Sequence, residues 1–220
     1  MYAGTLGIIT NSEMERKIAI EKLALINLKE LSKEERIEQL EIMPLEDWTD
    51  NSEWKNLPKK IRKEYKKGEF KDNPNSEKYD DVLLIWLKSK LQSVTNEYLE
   101  NELNTKIISG DPIQLESCPC CGARTIGNRS EYEICTVCWW EDDGQDNENA
   151  DIIMGGPNYG ISLTQGRINF LKHGIYDPNR TDLIKQKENI EKYQIGRIFM
   201  LKDNCVIESE SKWKGKITNA

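Results

Sequence analysis

The stretch "ESCPCCGARTIGNRSEYEICTVCWWEDDGQD", residues 116–146, decides how the C-terminal half is read, because it holds five of the chain's six cysteines. Cys118 and Cys121 form one CxxC pair, with Cys120 inside it, and Cys135 and Cys138 form a second. A CxxC turn sets two thiolates on the same side of one ion. Two such turns facing each other complete a tetrahedral sulfur site of the kind structural zinc takes. Thirteen residues, 122–134, separate the pairs. Within them "ARTI" and "YEI" around Gly127-Asn128 predict a compact hairpin that brings the turns together. Gly122, directly after the first pair, lets backbone amides turn toward the sulfurs.

Four other chemistries compete for these cysteines. Disulfides need an oxidising compartment. The N-terminus "MYAGTLGIIT" has no positive n-region and too short an apolar run for a signal peptide, so the expected location is cytoplasmic. A redox pair needs one CxxC between a strand and a helix, whereas here there are two with a predicted hairpin between them. A cysteine nucleophile wants a histidine base, and the single histidine, His173, reads as the end of a helix. Iron–sulfur ligation by the same residues is the next competitor, and zinc fits best. Cys118, Cys121, Cys135 and Cys138 are the expected ligands. Cys120 is left as a small buried hydrophobe or a sulfur beside the cage, and Cys205 as a core residue on a strand.

Three blocks in order, "CPCCG", "YEICTVCWWEDDGQD" and "GGPNYGISLTQGRINFLKHG", resemble the bacterial CPCC cysteine-rich domain over roughly residues 117–176. Thr136-Val137 stands where that family usually carries a Pro-bearing dipeptide, and the cysteines are intact. The resemblance implies a small zinc-ribbon-like domain without an established activity. It also implies a bacterial setting, in some cases near toxin genes.

Outward from the cysteines, "WWEDDGQDNENAD" is densely acidic but does not follow EF-hand spacing. Its bland reading is a polar loop capping nearby amides, with Trp139 or Trp140 packed beside the metal. The sharper reading is a docking surface for a basic protein, formed by Trp139, Trp140, Glu141, Asp142, Asp143 and Asp146. "GGPNYG" fits neither a dinucleotide-binding nor a P-loop pattern and reads as turn chemistry. Ser162 with Gln165 opens a helix that His173 and Gly174 close. A helix over 181–193 and a strand in "RIFMLKDNCVIES" are expected to finish the chain.

Residues 1–110 read as a helical domain and 111–220 as the cysteine domain with its C-terminal extension, an α+β protein in all. Ser12 with Glu15 and Ser32 with Glu35 are capping boxes. "LPKKIRKEYKKG" predicts a basic helix with Ile61 and Tyr65 turned inward. "YDDVLLIWLKSKLQSVTNEYLENEL" predicts one long buried helix, and "NTKIISGDP" the domain junction.

The 220 residues carry a net charge of −7, with neither half basic. That balance favours a basic protein partner and argues against nucleic acid, which would have to rely on the Lys-rich helix at 59–67. No membrane partner is expected. No catalytic constellation is visible, so an enzyme is not expected, although an unrecognised carboxylate site remains a third reading. The leading expectation is a zinc-stabilised protein-interaction protein, most specifically an immunity protein that neutralises a cognate antibacterial toxin.

Overall fold

The computed structural model describes residues 14–42, 51–70, 72–203 and 205–209. They form two compact units. The first comprises the chain up to Gln92 together with Asn96–Pro112, and the second comprises Ser93–Thr95 together with Ile113 onward. The content is mixed helix with short strand pairs. No helix among the described residues is long and apolar enough to cross a membrane.

The first unit opens with β1 (Met14–Glu15) and α1 (Arg16–Glu30). Ala19, Ile20, Leu23 and Ala24 recur at helical spacing and are buried, so α1 packs on one face. The expected cap at Ser12 lies outside the described residues; Glu15 itself precedes the helix and caps nothing with its side chain. α2 (Lys33–Ile42) does begin with the reciprocal box. Ser32 N–H donates to Glu35 at 2.8 Å and Glu35 N–H to Ser32 Oγ at 3.1 Å. After α3 (Ser52–Asn56) comes α4 (Lys59–Lys67), closed by Gly68 in the left-handed region. Ile61 and Tyr65 join Leu40, Trp54, Leu57, Tyr79, Val82, Leu83 and Ile85 in one apolar cluster. Each such side chain contributes about 1.5–3 kcal/mol on burial. The buried Glu64 is met by Lys78 Nζ and Tyr79 Oη, both at 2.9 Å.

The long helix expected over 79–103 is two helices, α5 (Asp80–Lys90) and α6 (Asn96–Leu103). Two contacts account for the break. Arg16 reaches across to Leu91 O at 3.1 Å and Gln92 O at 2.9 Å, satisfying carbonyls that a continuing helix would have used. The β-branched pair Val94-Thr95 then turns extended in the second unit, where Val94 bridges Tyr193 and Thr95 N–H donates to Lys192 O at 2.8 Å. The expected junction at 104–112 contains a strand, β2 (Ile107–Ser109), running parallel to β1.

In the second unit β3 (Glu116–Ser117) pairs antiparallel with β4 (Arg124–Ile126). "ARTI" therefore folds back across the first cysteine pair rather than onto "YEI", which corrects the expected hairpin. Ile134 bridges Glu141 across the second pair. α7 (Leu163–His173) is capped as expected, with Gln165 N–H donating to Ser162 Oγ and Gly174 at φ +72°. The helix expected over 181–193 is only the short α8 (Thr181–Ile184), followed by a separate 3-10 turn at Ile190–Lys192. The last expected strand is a hairpin, β5 (Ile198–Lys202) with β6 (Cys205–Ser209). Cys205 is exposed, not a core residue, because β6 shows little of itself to the interior.

Candidate metal centre

Each cysteine pair sits on a knuckle, and the two knuckles share one hydrogen-bond pattern. In the first, Cys118 N–H donates to Ala123 O at 2.8 Å and Gly122 N–H returns to Cys118 O at 2.9 Å. In the second, Cys135 N–H donates to Trp140 O at 2.9 Å and Trp139 N–H returns to Cys135 O at 2.7 Å. The fifth residue of each knuckle takes a positive φ, +81° at Gly122 and +65° at Trp139. Glycine is obligatory in the first, where a Cβ would lie 1.9 Å from Arg197 O. Arg197 N–H and Gly196 N–H both donate to Gly122 O, so the strand after Tyr193 is laid directly on that knuckle.

The knuckles bring Cys118, Cys121, Cys135 and Cys138 together, with all four Sγ atoms within 4.8 Å of one another. Cys118 Sγ lies 3.6 Å from Cys138 Sγ, and Cys121 Sγ 3.6 Å from Cys135 Sγ. A tetrahedron with metal–sulfur bonds of about 2.3 Å has edges of about 3.8 Å, so the donor set is shaped for a single ion. Pairs at disulfide length would instead stand at about 2.0 Å. The four cysteines are buried, Cys121 being the most exposed at 6%. With four sulfurs in place and no solvent opening, no position remains for a reacting water or substrate.

Burial pushes the Cys118, Cys121 and Cys138 thiols up from their ordinary value. Burial acts the same way on Cys135, but hydrogen bonds from the three neighbouring cysteines and Thr125 outweigh it and hold this thiol well below its ordinary value. Thr125 Oγ1 donates to Cys135 Sγ at 3.0 Å, and Cys120 N–H donates to Cys118 Sγ at 3.4 Å. With a divalent cation bound, such donors would spread the negative charge that four thiolates leave in excess. Cys120 is fully buried and stands outside the set of four. Its Sγ faces α7, 3.5 Å from where a Cβ on Gly166 would sit.

The acidic stretch after the second pair turns largely inward. Trp140 is fully buried, edge-on to Tyr176 with centroids 6.0 Å apart, and Gly166 lets α7 lie against it. Asp142 is fully buried and accepts from Arg129 Nε at 2.8 Å and Ser130 N–H at 2.9 Å. Asp146 is gripped by Arg197 through two nitrogens, at 2.7 and 3.0 Å, and by Arg129 at 3.1 Å. Despite its partial burial, those arginines and the Asn147 N–H hold its carboxyl down at about 2. Arg197 also pairs with Glu208 on β6, and Arg167 and Arg197 stack on Phe199 at 4.1 and 5.0 Å. Trp139, Glu141 and Asp143 are half-buried. Asp143 receives Asn158 Nδ2, and Glu141 exchanges backbone bonds with the same asparagine. The expected docking surface thus loses Trp140 and Asp142 to the interior and Asp146 to its arginines.

This carboxylate–arginine bracket, with Thr125 and Gly166, was not singled out from the sequence. The sequence offers Arg124, Arg129 and Arg167 as a small cationic spot; Arg129 and Arg167 do meet at Asp146, joined by Arg197, while Arg124 instead donates to Leu115 O at 2.7 Å.

Residues 116–192 match a family model described as cysteine-rich CPCC. The match runs past the resemblance at 117–176 to take in α8 and the turn at Ile190–Lys192. The chain matches no curated protein and no solved structure.

Proposed function

We propose that the CPCC domain holds a structural zinc ion in a ribbon-like pair of knuckles and uses the surface so stabilised to bind another protein. The four thiolates favour zinc as a closed, four-coordinate ion, and when bound it supplies folding energy rather than chemistry. The absence of an open ligand position supports a non-catalytic reading.

One observation carries the binding role. Ile152, Ile153 and Met154 run consecutively along the loop before α7 and are 54%, 60% and 54% exposed. Consecutive large apolar side chains held in water are a cost to a free domain and an asset to an interface. Tyr132, Ile134 and Tyr159 in the same unit are exposed as well. In its most specific form the protein is an immunity protein that covers a cognate antibacterial toxin in the bacterial cytoplasm, where thiols stay reduced.

The test compares zinc-loaded wild type with an Ile152→Asp/Met154→Asp variant in affinity capture from the native host at moderate salt. A single stoichiometric partner that the variant fails to retain, and whose toxicity the wild type neutralises, supports the reading. Equal capture by both proteins, or capture of nothing, counts against it. Elemental analysis giving one zinc per chain, with no visible iron–sulfur absorbance, identifies the metal.

A further inference from the structure

α4 is charged in a way that its role in the core does not require. At about 100° per residue, Lys59, Lys60, Arg62, Lys63, Lys66 and Lys67 fall within an arc of about 160°, while Ile61, Glu64 and Tyr65 occupy the rest. The structure matches that wheel. The three residues of the second group are buried, the five lysines are exposed and Arg62 is half-exposed.

This arrangement is electrostatically unfavourable for the helix itself. Lys59 and Lys60 stand at the N-terminal end, where the dipole disfavours cations. Like charges meet at three- and four-residue spacing along the arc, from Lys59 with Lys63 to Lys63 with Lys67. Among the described residues, relief by opposite charge is slight. Lys60 approaches Glu64 only at 4.0 Å, and Glu64 is already engaged by Lys78 and Tyr79. Lys67 meets an exposed Glu69 at 3.9 Å. Among the described residues, Lys59, Lys63 and Lys66 show no ion pair. By contrast α2, "KEERIEQLEI", interleaves both signs along its length. A polyanion would remove this repulsion, and the net charge of −7 does not oppose it locally.

We propose that the exposed face of α4 docks, without sequence preference, on the phosphate backbone of duplex nucleic acid. Lys59 to Lys67 spans about 12 Å along the helix, enough to lie beside three or four phosphates of one strand at about 3.4 Å of axis each. No large apolar or aromatic side chain of residues 51–70 is exposed. The face therefore has no platform on which single-stranded bases would stack and no wedge to enter a lipid surface, which favours the duplex. The site lies wholly in the helical unit and is independent of the protein-binding reading.

The experiment is fluorescence anisotropy of a labelled mixed-sequence duplex of about 25 base pairs against the zinc-loaded full chain. With about four phosphate contacts, the affinity should fall about 100-fold between 50 and 200 mM salt. Lys59→Gln/Lys63→Gln/Lys66→Gln/Lys67→Gln should lose at least tenfold at 50 mM and melt no lower than wild type. The charge-matched control Lys17→Gln/Lys22→Gln/Lys29→Gln/Lys33→Gln should bind nearly as wild type does. The proposal is overturned by no binding at 50 mM salt, by equal losses in the variant and its control, or by binding to phosphatidylserine vesicles but not to duplex.

Discussion

Thr125 Oγ1 and Cys121 Sγ lie 3.0 and 3.6 Å from Cys135 Sγ, and hydrogen bonding within the cluster holds this thiol well below its ordinary value. Cys135→Ser removes this ligand from a closed site, so the loss should exceed about 4 kcal/mol and appear as a collapsed melting transition of the cysteine-rich unit. Cys205→Ser changes an exposed thiol and should stay within about 0.5 kcal/mol. Equal melting temperatures would exclude the metal site. The bracket gives a second contrast. Asp142→Asn breaks a pair whose carboxylate is fully buried and should cost about 3 kcal/mol in urea unfolding. Asp146 keeps its charge down to about pH 2 in the fold, against an ordinary 3.8. A depressed carboxyl contributes fully above its unfolded value and loses that contribution as pH falls through the folded one. The destabilisation by Asp146→Asn should therefore be constant from pH 8 to 5 with zinc in excess. A steep change across that interval would show that another group governs the bracket. The cysteine ligands were legible because CxxC is a spacing four residues long. The bracket was not, because Asp146 and Arg197 stand 51 residues apart and no local pattern announces their meeting.

Among the elements, those with local signals were readable and those set by distant partners were not. α4 and α7 could be bounded from Pro58, Gly68, Ser162 and Gly174, because caps and left-handed glycines act within a turn. The break between α5 and α6 could not, because Arg16 and Tyr193, which enforce it, lie far away along the chain. The two knuckles come together as their spacing implies, but "ARTI" pairs with Glu116–Ser117 rather than with "YEI", a choice that no local signal in the sequence makes. Two glycine substitutions probe these elements. Gly122→Ala forces a Cβ into Arg197 O at a positive φ, and should cost several kcal/mol and weaken metal retention, read by competition with a chromogenic chelator. Gly166→Ala places its Cβ 3.0 Å from Trp140, where the ring can yield slightly, so about 1–3 kcal/mol is expected from thermal melts.

At the scale of the molecule, the turn chemistry of "NTKIISGDP" led to a boundary at 110, and the chain forms two compact units of which the first runs to Pro112. What composition could not show is that Ser93–Thr95 belong with the second unit. Because only that unit has the thiolate cage, a strong chelator should abolish its transition while the helical unit still melts cooperatively. Loss of both transitions together would mean that the two stand or fall as one.

The loan of Val94 and Thr95 also sets an order of events at birth. Thr95 leaves the ribosome about a hundred residues before Lys192, its backbone partner. At roughly 5–20 residues per second that is a wait of roughly 5–20 s. The helical unit can close while this short segment still lacks its mate, and the pairing of Thr95 with Lys192 comes only after all four cysteines of the cluster have been made.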